Sequence, residues 1–148
     1  MALNAVIAKA VKSLVLTNAE LVAMLPGDLH YGRADTSAIR PFAAMEIEER
    51  EREYNSGGGA LVQYDLTVTV YGKQRARDVG EILQLFSAVV SREVGWLQAA
   101  SNELGAVLSV VPTGSTLTED ETEEFGKDVM VGTTSWLIII NEYETSLA

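Results

Sequence analysis

Few residues of this 148-residue chain could support catalysis, and they do not occur together. The chain has one histidine, His30, and no cysteine, which excludes thiolate nucleophiles, cysteine-ligated zinc and any site that needs two histidines. No Gly-x-Ser-x-Gly motif marks a nucleophilic serine. The glycine triplet Gly57–Gly59 lacks the Lys-Ser/Thr pair of a phosphate-binding loop. We therefore predict no catalytic residue, no cofactor and no enzymatic activity.

Most of the negative charge lies in two short segments. Of a formal net charge of −10, Glu46–Glu53 supplies −3 and Glu119–Glu124 supplies −5. Such carboxylates could form a catalytic pair or ligate calcium. An EF-hand loop, however, alternates its ligands around a central glycine between two helices, whereas Glu119–Glu124 is contiguous and is predicted to lie between strands. Runs of like charge are more often solvated surfaces or partner contacts, so we predict no metal site.

Length and composition limit the class of protein. Apolar residues make up 47% of the chain and charged residues 22%, as in ordinary globular proteins, and the length predicts a single domain over residues 1–148. No apolar run reaches the roughly 18 residues of a membrane span. Lys9 and Lys12 interrupt the apolar N-terminal stretch at helical spacing, which predicts a helix of the mature protein and not a signal peptide. The negative charge makes the chain a poor ligand for DNA phosphates.

Helical spacing of apolar residues predicts two amphipathic helices. The first set is Leu3, Val6, Ile7, Ala10, Val11 and Leu14, and the second is Val79, Ile82, Leu83, Phe86, Val89, Val90 and Val94. Asn18 is the predicted N-cap of a short helix that ends before Pro26.

Extended segments are predicted over 29–33, from Phe42 to Glu53, and over 60–72, 106–111 and 129–143. A helix is the competing interpretation of the charged run Glu48–Glu53, because Glu and Arg are good helix formers, but the turn and the alternating segment that follow favour a strand. The glycine-rich turn before Ala60 joins the second and third segments into a hairpin, whose distal half we expect to project because its first strand has few apolar residues. There Arg50 and Arg52 are expected to face polar residues of the next strand, Asp65 among them.

Two further expectations concern the last third of the chain. Pro112 is predicted to stop the fourth strand, which leaves a long acidic loop over Thr113–Lys127. The continuous apolar run Leu137–Ile140 predicts that the middle of the last strand is buried on both faces. The predicted fold class is α+β, a mostly antiparallel sheet with two amphipathic helices packed on one face and a projecting β-hairpin.

The succession of these elements resembles a known family. After the N-terminal helix come Leu29-His-Tyr-Gly-Arg33, Arg40-Pro-Phe-Ala-Ala-Met-Glu-Ile-Glu48, Ser56-Gly-Gly-Gly59 and Tyr64-Asp-Leu-Thr-Val-Thr-Val-Tyr71, and then a helix and two strands. Over residues 3–143 this order resembles the tail-completion (tail-terminator) proteins of long-tailed bacteriophages. The succession carries the resemblance more than any single motif does, and the acidic segment 113–127 departs from a minimal version of the family.

The resemblance implies a structural protein of the virion, made in the cytoplasm of the bacterial host and located at the head–tail junction. Such a protein forms a homo-oligomeric ring, typically hexameric, that caps the tail tube, stops its polymerisation and joins the tail to the head–tail connector. Its other partners would be the tail tube protein and the neck proteins. An acidic ring would let DNA pass through its lumen without specific binding. No membrane partner is expected.

Two groups of residues are predicted to make contacts in that assembly. The hairpin arm would contact the next subunit through Glu48, Arg50, Arg52, Tyr54 and Leu61. The acidic segment would contact the tube or connector through Glu119, Asp120, Glu121, Glu123 and Glu124.

Three alternatives remain open from the sequence. The first is a head-completion or stopper protein of the same neck. The second is a small acidic α+β ligand-binding module, with the acidic loop as a lid or metal site. The third, an enzyme, would require activity that depends on one glutamate of Glu46–Glu53.

Overall fold

A computed structural model of the protein describes residues 4–32, 41–54, 59–72, 76–90, 106–120 and 129–142. Within these ranges the chain forms three helices and five strands. They follow in the order α1 (Asn4–Leu16), α2 (Ala19–Met24), β1 (Leu29–Tyr31), β2 (Phe42–Tyr54), β3 (Ala60–Tyr71), α3 (Ala76–Val90), β4 (Ala106–Asp120) and β5 (Val129–Glu142).

The strands form one sheet in the order β1-β2-β3-β5-β4. The short β1 pairs parallel to β2, and the three other pairings are antiparallel. The hairpin β2–β3 pairs Phe42 with Tyr71 at one end and Tyr54 with Ala60 at the other. The predicted α+β class with a mostly antiparallel sheet is therefore confirmed.

The helices α1 and α3 pack on one face of the sheet, which we call the helix-bearing face, and α2 packs against these two helices. α1 lies against β2, and α3 lies against β3, β4 and β5. The core between the layers includes fully buried side chains from both helices and strands, among them Ile7, Leu21, Tyr64, Phe86 and Trp136. Successive side chains of a strand point to opposite faces of the sheet. Every second residue of β3 is therefore buried in this core.

The short helix α2 begins as the sequence predicts. The side-chain Oδ1 of Asn18 accepts a hydrogen bond of 3.0 Å from the backbone N–H of Leu21, which satisfies one of the amides that the first helical turn leaves unpaired. α3 corresponds to the predicted second amphipathic helix, and the structure describes it as far as Val90, so Val94 lies outside the described residues.

The opposite face of the sheet, which we call the helix-free face, is only partly covered. Ile138 and Ile140 are fully buried on the helix-bearing face, whereas Leu137 and Ile139 on the helix-free face are half-buried. The prediction that the middle of β5 is buried on both faces is therefore wrong for the helix-free face. The two faces differ because the described helices lie on one side of the sheet only. The apolar run alone does not show this arrangement.

The predicted end of β4 is also wrong, since the strand continues through Pro112 to Asp120. β4 is an edge strand, where a proline can leave its missing N–H on the outer side, and the register shifts between Val107 and Ser109 and again between Pro112 and Gly114. Hydroxyl side chains then join β4 to β5: the Ser115 Oγ–H donates to Thr134 Oγ1 at 3.1 Å. Half of the expected acidic loop is thus strand.

Candidate functional site

The outer edge of β2 is covered in its first half. Residues 43–45 pair with β1: the Ala43 N–H donates to the Asp28 carbonyl at 3.0 Å, and the Gly32 N–H donates to the Met45 carbonyl at 2.9 Å. Beyond β1, the side-chain Nδ2 of Asn4 in α1 donates to the Ile47 carbonyl at 2.9 Å. On this side of β2, other described residues therefore cover the backbone as far as the Ile47 carbonyl.

Past Ile47 the backbone pairing on the outer side of β2 ends within the described residues. No strand among the described residues pairs with the outer side of Glu48–Tyr54, a segment that we call the β2 outer edge. An edge strand offers its backbone N–H and C=O groups to an incoming strand. The boundary coincides with the start of the predicted inter-subunit arm at Glu48.

A β-bulge divides the side chains of this edge between the two faces of the sheet. The register shifts between Glu49 and Glu51, so Arg50 is an extra residue without a partner position on β3. Before the bulge Glu48 pairs with Asp65 on the helix-free face. After the bulge Arg52 pairs with the buried Val62 and so lies on the helix-bearing face.

Arg50 is held within its own hairpin. Its Nε lies 3.2 Å from Asp65 Oδ2, and the two side chains remain 53% and 35% exposed. The prediction that Arg50 faces Asp65 is confirmed. Because the pair is substantially solvated, water screens its attraction and its contribution to stability is small.

Arg52 pairs instead with a residue of its own strand. Its Nε and Nη2 donate to Glu49 Oε1 at 2.9 and 2.6 Å, and its guanidinium lies 5.9 Å from the ring centroid of Tyr54. Tyr54 is 77% exposed. Arg52 therefore does not face the polar side chains of β3 as predicted, because the bulge turns it to the other face of the sheet.

The five predicted arm residues thus do not form one patch. Glu48 and Leu61 lie on the helix-free face, where Leu61 pairs with Glu53, while Arg52 and Tyr54 lie on the helix-bearing face. Glu48, Glu51 and Glu53 are exposed and form no ion pair with any residue that the structure describes. The edge therefore presents an excess of negative charge.

The second predicted contact segment lies at the end of the β4–β5 hairpin. Glu119 and Asp120 are the last residues of β4, and their backbones pair with Met130 and Val129. The other three residues of this prediction, Glu121, Glu123 and Glu124, lie outside the described residues.

The groups that could perform chemistry do not converge. His30 Nε2 donates to the Gly27 carbonyl at 2.8 Å, and its ring meets Phe42 edge-on, so this histidine joins β1 to the preceding turn. An open groove of about 310 Å³ between α2 and α3 is lined by residues such as Met24 and Leu85. In the described ranges, no group of three His, Asp or Glu side chains is placed to hold a metal ion, and no helix is long and apolar enough to cross a membrane.

Two features of these edges are not predicted by the sequence. One is the hydrogen bond from the Asn4 side chain to the Ile47 carbonyl, because this bond depends on how α1 packs against β2. The other is the edge strand β4, on which Leu108 and Val111 are 55% and 48% exposed. The apolar pattern of 106–111 is typical of a strand, but it does not show that this strand is an edge.

Comparison with known proteins identifies a shared fold. No protein-family model matches the chain, and no curated protein matches it. A chain in the solved structure titled "Virion of native gene transfer agent (GTA) particle" superposes with a TM-score of 0.66 at 10% sequence identity, over 88% of this chain and 91% of that chain. At this identity the likeness shows that the two chains have the same fold.

Proposed function

We propose that the protein is a structural component of a phage-like virion, and that it acts there as a tail terminator. The observation that carries the proposal is the fold likeness to a chain of a gene transfer agent particle, which extends over nearly the whole of both chains. It agrees with the family that the order of sequence elements resembles. In this role the protein forms a hexameric ring that caps the tail tube and joins it to the head–tail connector.

The edges of the sheet support ring formation. A ring requires head-to-tail contacts, in which one surface of each subunit meets a different surface of the next. The sheet offers two different edges, the β2 outer edge and the outer side of β4, and no described strand pairs with either. One copy can therefore contact two neighbours through unlike surfaces.

The charge supports a passage for DNA without affinity for it. Each copy carries a formal charge of −10, so a ring of copies repels the phosphate backbone. The exposed carboxylates of the β2 outer edge contribute to this charge.

The test is to locate the protein in particles. Virions purified from the source are analysed by mass spectrometry, and an antibody raised against the folded protein is applied before electron microscopy. We expect the chain in intact particles and label at the head–tail junction. Label at the distal tail tip or on the capsid would contradict the terminator role but not a virion role. Absence from intact particles by mass spectrometry would contradict both.

A further inference from the structure

We propose that the β2 outer edge of one copy pairs antiparallel with the outer side of β4 of the next copy, so that the sheets of neighbouring subunits join edge to edge. This inference rests on the proposed ring and names the surfaces that close it.

Strand directions make the pairing antiparallel. β2 is antiparallel to β3, β3 to β5 and β5 to β4, so β4 runs opposite to β2 within one sheet. If the next copy continues the sheet beyond β4 in the same orientation, its β2 meets β4 antiparallel, which is the more stable form of strand pairing. Each copy then uses β2 for one neighbour and β4 for the other.

The edge strand β4 exposes apolar side chains that contact with a neighbouring copy would cover. Leu108 and Val111 are exposed large apolar residues on an edge strand, an arrangement that soluble proteins generally avoid because it promotes association. No strand among the described residues pairs with this side of β4. The segment Leu108–Thr116 carries no charged residue.

The charges of the β2 outer edge select this partner over a second β2. Pairing of two β2 edges about a two-fold axis would bring the exposed carboxylates of Glu48, Glu51 and Glu53 close to their counterparts, and like charges across strands are destabilising. The uncharged segment Leu108–Thr116 of β4 imposes no such repulsion. Charge on β2 therefore disfavours a closed β2–β2 dimer and favours the head-to-tail contact.

Pro112 limits where the contact can form. It has no N–H, so it interrupts the row of donors along β4, and two bulges flank it. Pairing is therefore confined to the short regular runs on either side, Ser109–Val111 and Gly114–Thr116. A cross-linking test therefore needs a position in each of the two runs.

Disulfide cross-linking tests the contact directly, because the chain has no cysteine of its own. Glu51→Cys or Glu53→Cys on β2 is combined with Val111→Cys or Thr116→Cys on β4, which gives four double variants. All four positions lie on the helix-free face, as their partners in the sheet show, so thiols from two copies can approach within disulfide distance. Circular dichroism confirms that each variant is folded, and any variant that is not is replaced by a neighbour on the same face.

We expect at least one double variant of the purified protein, on mild oxidation, to give a ladder of dimers, trimers and higher species on a non-reducing gel that a reductant abolishes. The matched controls are the four single variants and a double variant that joins Val111→Cys to Ala23→Cys on the exposed side of α2. These controls should remain monomeric on the gel.

Other outcomes overturn the inference in recognisable ways. Dimers from the Glu51→Cys or Glu53→Cys single variants would show β2–β2 pairing. Absence of cross-links from all four double variants, with rings still detected by native mass spectrometry, would show that other surfaces close the ring, and would leave the proposed function intact. A ladder from a protein that is absent from virions would uphold the edge contact and contradict the proposed function.

Discussion

Arg50 and Arg52 are two residues apart, and an undisturbed strand would place them on the same face of the sheet. The bulge between Glu49 and Glu51 separates them. Arg50 binds Asp65 across the hairpin, while Arg52 binds Glu49 along the strand. A variant that reverses both charges therefore changes two unrelated contacts, and the two residues must be tested singly.

Single substitutions should show that the two arginines differ in their effect on stability. Arg50→Ala should lower the free energy of unfolding by less than about 1 kcal/mol, because its ion pair is solvated. Arg52→Ala should cost more, about 1–2 kcal/mol, since it removes two charge-assisted hydrogen bonds to Glu49 and a less exposed side chain. Urea unfolding measures both values. A larger loss for Arg50→Ala would contradict the assignment of the contacts.

Asn4 is a second residue whose role can be isolated. Asn4→Ala removes the donor to the Ile47 carbonyl, and the expected loss is about 0.5–1.5 kcal/mol of unfolding free energy. Ser13→Ala, at an exposed position of the same helix, is the control and should be close to neutral. If the two variants unfold at the same urea concentration, the Asn4 side chain does not secure the edge of β2.

At the scale of elements, periodicity predicts the strands and helices that alternate or repeat clearly. β3 alternates from Ala60 to Tyr71 and was predictable for that reason, as was the apolar face of α3. β4 was predictable only to Val111, because a Pro-Thr-Gly-Ser-Thr stretch has the composition of a loop. Its extended structure depends on pairing with β5 and on hydroxyl contacts such as Ser115–Thr134, which are tertiary facts that the local sequence does not contain.

β5 offers a matched pair for measuring the difference between the two faces of the sheet. Ile138→Ala removes a fully buried side chain and should cost about 2–5 kcal/mol of unfolding free energy. Ile139→Ala, at a half-buried position one residue further on, should cost less than half as much, because less apolar surface returns to water. Urea unfolding of the monomer distinguishes the two. Equal losses would mean that another part of the chain covers the helix-free face.

At the scale of the whole molecule, the sequence predicts where the proposed contact surface begins but not how its side chains are arranged. The acidic composition predicts the start of the arm at Glu48, and the described residues cover the outer edge of β2 as far as Ile47. The cover depends on the packing of α1 against β2, and the opposite orientations of Arg50 and Arg52 depend on a bulge whose register the sequence leaves undetermined. The fold class can be predicted from local sequence patterns. Which strand edges are left unpaired depends on the order of the strands in the sheet, which local patterns do not contain.

Net charge leads to a prediction about assembly as a whole. Copies of formal charge −10 repel one another, and this repulsion is screened as the Debye length falls from about 30 Å at 0.01 M salt to about 10 Å at 0.1 M. The fraction of protein in rings should therefore rise with sodium chloride at fixed protein concentration, as measured by sedimentation velocity. The double variant Glu51→Gln/Glu53→Gln should assemble more readily at low salt and respond less to added salt, because it removes carboxylates from the β2 outer edge. Rings that dissociate as salt increases would show instead that ion pairs between subunits hold them together.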